Sequence, residues 1–186
     1  MDTTPQYISP DDYLALESQH LVRHEYQGGL VHAMAIAADN HGRIAFNFLK
    51  IIDDHLGDVS ECRFYGGNIK VGHLDEFYYY PDALLTCDLR DRKDRYVKRY
   101  PELIAEIFSP ATEAFDRDEK FRHYQRLDSL EEYVLISQES PLVECWRRSV
   151  NGGWESRFYE GDDLAILMCI GLEFAVADLY RGIDAT

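Results

Sequence analysis

The sequence predicts an α/β (α+β) protein whose central sheet is covered by helices. Two short runs, residues 82–87 and Leu103–Phe108, are apolar almost throughout, which is typical of strands buried on both faces. Helical spacing follows over residues 116–127, and the apolar run Glu132–Ser137 comes next. Because a strand–helix–strand order makes the two strands parallel when they share a sheet, we expect a mixed β-sheet flanked by helices.

The N-terminal part predicts a helix followed by a hairpin. Ser9 can cap a helix that begins at Pro10 and ends near Glu17. The pair Gly28-Gly29 separates two strand-like runs, the second of which extends over residues 30–35. Helical spacing returns over residues 40–56.

Strands make up most of the remaining chain. The tyrosines 78–80 precede Pro81 and fit packing against the core better than stacking on bases. After the predicted crossover helix we expect only strands, which form a C-terminal antiparallel extension. The further predicted strands are 62–65, 68–71, 143–148, 154–159, 164–169 and 174–179.

Length and composition fit one globular domain over residues 1–186. The hydrophobic fraction of 46% is enough for an ordinary core. No run approaches the ~20 apolar residues of a membrane-spanning helix, and residues 1–5 have no features of a secretion signal. The cysteines are widely spaced, so we expect free thiols, no zinc site and a cytoplasmic location. They are Cys62, Cys87, Cys145 and Cys169.

Two carboxylates, Asp82 and Glu106, lie in apolar strands. A buried carboxylate costs several kcal/mol unless it is paired or binds a cation. Mg²⁺ or Mn²⁺ between the two strands would fit, since these hard ions take one or two carboxylates and can activate water at a phosphodiester. Spacing alone fits structural carboxylates equally well, with Asp82 ending a strand after Pro81 and Glu106 paired with a basic side chain.

Three other residues have both a functional and a structural interpretation. Lys120 would orient the attacking water, but Asp116 one turn earlier offers it an ordinary i, i+4 ion pair. Glu25, at the mouth of the hairpin, is either a further acidic site residue or an exposed charge. His41 is either a base or phosphate donor, or a solvated histidine at a helix start.

The net charge of the chain and the local charge of one segment favour opposite conclusions about nucleic-acid binding. The formal net charge of −15 opposes nucleic-acid binding at long range. Residues 90–99, however, contain six basic residues against two acidic ones. This stretch is either a solvated loop or a patch beside the two carboxylates that contacts phosphates. Of the six basic residues, the candidate nucleic-acid contacts are Arg90, Arg92, Lys93 and Arg95.

Several segments, taken in order, resemble the bacterial family of putative restriction endonucleases, a branch of the PD-(D/E)XK nuclease superfamily. The resemblance extends over residues 9–179, and it depends on the order of the segments because none is specific alone. The segments are Arg23-His24-Glu25-Tyr26 with Gly28, Tyr80-Pro81-Asp82, residues 103–113, residues 116–121 with Tyr124, and Glu132-Tyr133-Val134-Leu135.

The resemblance implies a restriction-endonuclease-like core and a Mg²⁺-dependent phosphodiesterase site. Pro81-Asp82 matches the "PD" and Glu106 matches the acidic residue of "(D/E)XK". Phe108 stands where the superfamily has its lysine, and Lys120 occupies the helix position to which the lysine has moved in this family. Glu25 matches a frequent acidic position.

The implied activity is hydrolysis of DNA by an endonuclease. Asp82, Glu106 and the carbonyl of Ile107 would ligate Mg²⁺ or Mn²⁺, and Lys120 would position the water. Asn40-His41 matches a segment common at the start of the long helix. The net charge and Phe108 leave a second class open, a nuclease fold without cleavage activity that binds partners or forms a homodimer through its apolar strands.

Overall fold

The computed structural model, which describes residues 7–34, 37–57 and 60–183, contains mixed sheets with helices packed against them. The strands are β1 (His24–Gln27), β2 (Leu30–Ala33), β3 (Arg63–Gly66), β4 (Lys70–His73), β5 (Phe77–Tyr79), β6 (Ala83–Thr86), β7 (Val97–Lys98), β8 (Leu103–Phe108), β9 (Glu132–Ser137), β10 (Leu142–Arg148), β11 (Trp154–Glu160), β12 (Leu164–Leu167) and β13 (Leu172–Ala175). The helices are α1 (Pro10–Glu17), α2 (Asp39–Leu56), α3 (Glu113–Phe115), α4 (Phe121–Tyr124) and α5 (Val176–Leu179). A π-helical turn, Asp116–Lys120, joins α3 to α4, and a 3₁₀ turn spans Leu89–Arg92.

The central sheet has the strand order β11-β10-β9-β8-β6-β3. Its strands β8 and β9 are parallel and are joined by the helical crossover, while the other neighbours are antiparallel. A second sheet has the order β2-β1-β5-β4-β7, and β12 pairs with β13. The prediction of a mixed sheet flanked by helices is therefore confirmed.

Alternating side chains of the central sheet enter two cores. Odd-numbered residues of β8, such as Ala105 and Ile107, pack with Phe48 and other residues of α2. Even-numbered residues, such as Ile104 and Phe108, pack with α4 on the opposite face. Both faces are thus covered, which explains the continuous apolar character of β6 and β8.

The N-terminal elements form as their sequence predicts. Ser9 caps α1 by accepting a hydrogen bond from the Asp12 backbone N–H at 3.2 Å. Gly28 and Gly29 have φ values of 53° and 96°, which suit a two-residue hairpin loop and disfavour other residues. The tyrosines 78–80 are buried, with at most 5% exposure, so packing is their role. Residues 1–5 and Ala35, which the predictions also covered, lie outside the described residues.

The prediction of a strand over residues 174–179 is wrong beyond Ala175. The ladder ends there because Ala175 already faces Leu164, the first residue of β12. The Val176 N–H then donates to the Asp163 carbonyl at 3.0 Å, and α5 begins. Val176 and Leu179, three residues apart on α5, point into the core. Within the described ranges, no helix is both long and apolar enough to cross a membrane.

The prediction of four free thiols is wrong for one pair, because Cys62 and Cys87 form a disulfide. The antiparallel register of β3 and β6 pairs Arg63 with Thr86, so these cysteines face each other one position beyond the ladder. Cys145 and Cys169 are free. Cysteine usage therefore no longer supports a reducing compartment.

We predict that the denatured chain exposes two thiols without reductant and four after reduction, because only Cys145 and Cys169 are free in the folded protein. Thiol titration in guanidinium chloride measures this count. Cys87→Ser is the control and should show three thiols under both conditions. Four thiols without reductant would contradict the disulfide. Reduction should also lower the free energy of unfolding by about 2–4 kcal/mol, measured by urea titration.

Candidate active site

The candidate site lies where the chain passes from the second sheet into the central sheet. Strand β5 belongs to the second sheet and β6 to the central one, and only Tyr80-Pro81-Asp82 separates them. Asp82 therefore stands at the very start of β6. Glu25 of β1 reaches the same junction, where its Oε1 accepts the Tyr80 backbone N–H at 3.0 Å.

The register of β6 against β8 brings Asp82 and Glu106 together. Ala83 pairs with Ala105, so Asp82 and Glu106 follow one step beyond, on adjacent strands. By strand alternation both share the face of Ile104, which packs toward α4. The two carboxylates therefore lie on one face of neighbouring strands.

The edge of β8 beyond Ala105 has no partner from β6, and Asp82 occupies it. The Ile107 N–H donates to Asp82 Oδ2 at 2.7 Å. In an extended strand the N–H and C=O of one residue point to the same side. The Ile107 carbonyl is thus directed toward the Asp82 side chain, as a metal ligand at this position requires.

Lys120 extends its ammonium into the same face from the π-helical turn. Its Nζ lies 3.0 Å from Glu106 Oε1, 3.2 Å from Glu25 Oε1 and 3.8 Å from Asp116 Oδ1. The structural and functional interpretations of Lys120 are therefore compatible, because the i, i+4 pair with Asp116 exists within the acidic cluster itself.

The π-helical turn is an unusual feature at the position that carries Lys120. Such turns are rare and often occur at functional sites. Here the Tyr133 hydroxyl donates to the Asp116 carbonyl at 2.9 Å, which ties the turn to β9. Lys120 is consequently held between the sheet and the helix, with only 5% of its surface exposed.

Two neighbouring side chains fix the orientation of the acidic pair. The Tyr124 hydroxyl donates to Glu106 Oε1 at 2.9 Å. His41 Nε2 lies 2.7 Å from Asp82 Oδ1, close enough to donate to the carboxylate. Burial alone would lower the pKa of His41, but its hydrogen bond to Asp82 raises it overall. His41 thus holds a carboxylate, a contact that sequence reasoning did not foresee.

The site contains more negative than positive groups. Four carboxylates, those of Glu25, Asp82, Glu106 and Asp116, face one ammonium and one histidine. Burial raises the pKa of Glu106 well above its usual range; Lys120 opposes this shift, and the carboxylates of Asp116, Asp82 and Glu25 add to it. Burial alone would lower the pKa of Lys120, but the surrounding carboxylates raise it, so its ammonium stays charged.

The donor atoms suit a hard divalent cation. Asp82, Glu106 and the Ile107 carbonyl offer only oxygen, which Mg²⁺ and Mn²⁺ prefer. Asp82 keeps 18% of its side chain exposed, whereas Glu106 keeps 5%, so the site opens to solvent on the Asp82 side. A cation here would also offset the excess negative charge.

Phe108, two residues after Glu106 on β8, fills an apolar position of the core. Its side chain faces the same core as Ile104 and Phe121 and is buried. The Arg117 guanidinium lies 4.8 Å from the Phe108 ring centroid and covers it. An ammonium at position 108 would be surrounded by these apolar side chains, whereas the Lys120 ammonium reaches Glu106 from the π-helical turn.

The basic loop, for which the sequence leaves open both a solvated loop and a phosphate-contacting patch beside the carboxylates, follows the end of β6 that is farther from Asp82. Asp82 precedes β6 and the loop follows it, so the four residues of β6 separate them by about 13 Å at ~3.3 Å per residue. Buried Asp91 anchors the loop by accepting the Thr86 hydroxyl at 2.9 Å and the Arg99 N–H at 2.8 Å.

The basic side chains of this loop differ in their contacts. Arg90 pairs with Asp88 and stacks 3.6 Å from the Tyr100 ring centroid, and Arg92 donates to the Glu61 carbonyl at 2.9 Å. Lys93 and Arg95 are exposed and form no ion pair within the part of the chain that the structure describes. The loop's contact with nucleic acid stays a prediction.

Sequence reasoning missed Asp116 and Tyr124 as members of the site. Asp116 was weighed only as an ion-pair partner of Lys120, and Tyr124 was quoted for the family resemblance without a role in the site. The i, i+4 spacings from Asp116 to Lys120 and from Lys120 to Tyr124 are the signal that places all three on one helix face.

Comparison with known proteins shows the family to which the chain belongs. A family model described as "Uma2: Putative restriction endonuclease" matches residues 10–177. The uncharacterised protein slr1290 of Synechocystis sp. is 36% identical over 177 residues, which cover 95% of this chain and 93% of that protein. A second uncharacterised Synechocystis protein, sll1609, is 29% identical over 160 residues, or 81% of this chain and 86% of that protein.

A solved structure has the same fold. It is described as a putative nuclease belonging to DUF820 from Anabaena variabilis ATCC 29413, and it aligns with a TM-score of 0.77. The alignment covers 93% of this chain and 97% of that one at 17% sequence identity. At this identity the likeness concerns the fold.

We predict that the two partners of the buried ion pair contribute unequally to stability without metal. Lys120→Met leaves four carboxylates without their ammonium and should cost about 3–5 kcal/mol. Glu106→Gln leaves Lys120 paired with Glu25 and Asp116, and should cost about 1 kcal/mol, the usual net contribution of one hydrogen bond. Urea unfolding in EDTA measures both values.

The matched control for this pair is Lys50→Met, which removes an exposed lysine paired with Asp54 on α2. It should change stability by less than about 1 kcal/mol. A larger loss for Glu106→Gln than for Lys120→Met would show that the carboxylates do not repel one another in the folded protein.

Proposed function

Because the chain belongs to the Uma2 family of putative restriction endonucleases, we propose that it is a metal-dependent DNA endonuclease that hydrolyses phosphodiester bonds. The observation that carries the proposal is the Lys120 ammonium, 3.0 Å from Glu106 Oε1, beside the β8 edge where the Ile107 N–H donates to Asp82 Oδ2 at 2.7 Å. The name of the Anabaena protein, a putative nuclease, agrees with this reaction class.

Asp82, Glu106 and the Ile107 carbonyl would hold Mg²⁺ or Mn²⁺. When bound there, such an ion supplies Lewis-acid polarisation of a phosphate oxygen and lowers the pKa of a coordinated water. The protein's own residues prepare the site for this ion. His41 orients Asp82, and Tyr124 orients Glu106, each through one hydrogen bond.

Lys120 has two tasks in this mechanism. Its ammonium stays protonated among the carboxylates, so it can donate a hydrogen bond to the attacking water and hold it in position. The same charge offsets the negative charge that develops on the phosphorus oxygens. Glu25 holds Lys120 from the side of β1, and we assign it this positioning role.

Binding of DNA phosphates needs positive charge, which this acidic protein concentrates in the loop over residues 90–99. DNA would reach the site from the exposed side of Asp82, and Lys93 and Arg95, which follow the far end of β6, would contact neighbouring phosphates. Arg90 and Arg92 are partly committed to protein groups and contribute less.

One observation favours a second candidate function, a nuclease fold that binds partners without cleaving. Lys120 contacts Glu25, Glu106 and Asp116 together, a closed ion-pair network that is also consistent with a purely structural role. Calorimetric titration with Mn²⁺ distinguishes the two functions. Binding that disappears in Glu106→Ala supports the enzyme, and the absence of binding in the wild type supports the second candidate, whose homodimer stays a prediction.

We predict that the purified protein nicks supercoiled plasmid with Mg²⁺ or Mn²⁺ and that EDTA stops the reaction. Asp82→Asn and Lys120→Ala should each lower the rate by about 100-fold or more, because each removes an interaction made in the transition state. Gel analysis of nicked and linear products measures the rate.

Asp54→Asn is the matched control, because Asp54 is an exposed carboxylate on α2, and it should cleave at the wild-type rate. Equal cleavage by the wild type, Asp82→Asn and Lys120→Ala would identify a contaminating nuclease and overturn the proposal. Loss of activity in the control as well would point to damaged folding, which circular dichroism would reveal.

We predict that the exposed basic residues act on DNA binding rather than on chemistry. The double variant Lys93→Ala/Arg95→Ala should weaken binding to DNA of any sequence and lower the slope of log K against log salt by about 2. Fluorescence anisotropy in Ca²⁺, without cleavage, measures both quantities. An unchanged slope would exclude these side chains as phosphate contacts.

A further inference from the structure

A second cluster of metal-ligating side chains lies at the end of α1, outside the acidic site. Glu17 is the last residue of α1, His20 lies in the following turn, and His24 is the first residue of β1. One ligand atom from each lies within 4.8 Å of the others. Three potential ligands thus converge within eight residues of sequence.

The geometry of this cluster resembles one coordination shell. Glu17 Oε2 lies 3.0 Å from His24 Nδ1, close to the ~3.3 Å that separates two ligands on a tetrahedral ion with bonds of ~2.0–2.1 Å. The rings of His20 and His24 have centroids 5.1 Å apart at an angle of 63°. The His20 side chain is exposed, and its ligand nitrogen lies within 4.8 Å of the ligand atoms of Glu17 and His24.

The carboxylate of this cluster is preorganised by the surrounding protein. The Glu17 side chain is only 3% exposed. Its Oε1 accepts the Tyr80 hydroxyl at 3.0 Å and the His24 backbone N–H at 2.9 Å, which leaves Oε2 directed at the His24 ring. Lys70 Nζ in turn donates to the Tyr80 hydroxyl at 3.1 Å. Outer contacts of this kind orient metal ligands in known sites.

We propose that Glu17, His20 and His24 bind one transition-metal ion of the Zn²⁺ class. Two imidazoles and one carboxylate suit Zn²⁺, Co²⁺ or Ni²⁺, whereas Mg²⁺ prefers an all-oxygen shell. The exposed side of His20 leaves a fourth position open to water. This site is chemically different from the oxygen-only site at Asp82 and Glu106, and its existence does not depend on nuclease activity.

The proposed ion would connect α1 to the sheet junction. Tyr80 contacts Glu17 through its hydroxyl and Glu25 through its backbone N–H. An ion that holds Glu17 against His24 therefore stabilises the segment from which Glu25 reaches Lys120. Because the ion binds only the folded chain, Zn²⁺ should raise the unfolding temperature.

Calorimetric titration of the untagged full chain with Zn²⁺, in excess Mg²⁺, tests the proposal. The wild type should bind one Zn²⁺, and His20→Ala should weaken binding by about 10- to 100-fold. His20 is exposed, so this variant should fold, and Glu17→Gln gives a second test that keeps the hydrogen bonds to Oε1. Co²⁺ in place of Zn²⁺ should give the visible absorption of a four-coordinate site.

Two further variants locate the ion. His55→Ala removes another exposed histidine, on α2, and should bind Zn²⁺ like the wild type, as should Asp82→Asn. The proposal is overturned if the wild type binds no Zn²⁺, if His20→Ala and Glu17→Gln bind as tightly as the wild type, or if only Asp82→Asn loses the ion. Equal weakening in His55→Ala would show unspecific surface binding and would also overturn it.

Discussion

The buried ammonium of Lys120 is the interaction on which the site depends. It contacts carboxylates from β1, β8 and its own helical turn, and so joins both sheets and the crossover helix at one point. An ammonium with so little exposed surface costs several kcal/mol unless it is paired. The carboxylates of Glu25, Glu106 and Asp116 supply that pairing, and they in turn need a cation to remain close together.

The sheet register determines which carboxylates meet the ammonium. Strand β6 begins at Ala83, opposite Ala105, so the edge of β8 beyond Ala105 is left for the Asp82 side chain, which accepts the Ile107 N–H. The excess of carboxylates over cations follows directly from this arrangement. It favours a divalent cation for an electrostatic reason that is independent of any likeness to other proteins.

Much of the fold follows from local sequence, and the exceptions arise from pairing between distant segments. The hairpin at Gly28-Gly29, the long helix and the apolar strands are all determined by near neighbours. The Cys62–Cys87 disulfide depends on the register of β3 with β6, which no local pattern reveals. The position of the basic loop at the far end of β6 depends on strand direction. The helix Val176–Leu179 replaces a strand because the partner strand ends.

The site illustrates why Lys120 was harder to assign than Asp82 and Glu106. Period-two alternation on neighbouring strands is enough to put two carboxylates on one face, but the reach of a helix onto a sheet depends on tertiary packing. The requirement is an ammonium near the carboxylates, and a strand or a helix can supply it. Phe108 occupies its position on β8 with an apolar side chain, so the ammonium comes from the crossover helix that packs on this face of the sheet. The π-helical turn, which Tyr133 ties to β9, holds Lys120 there.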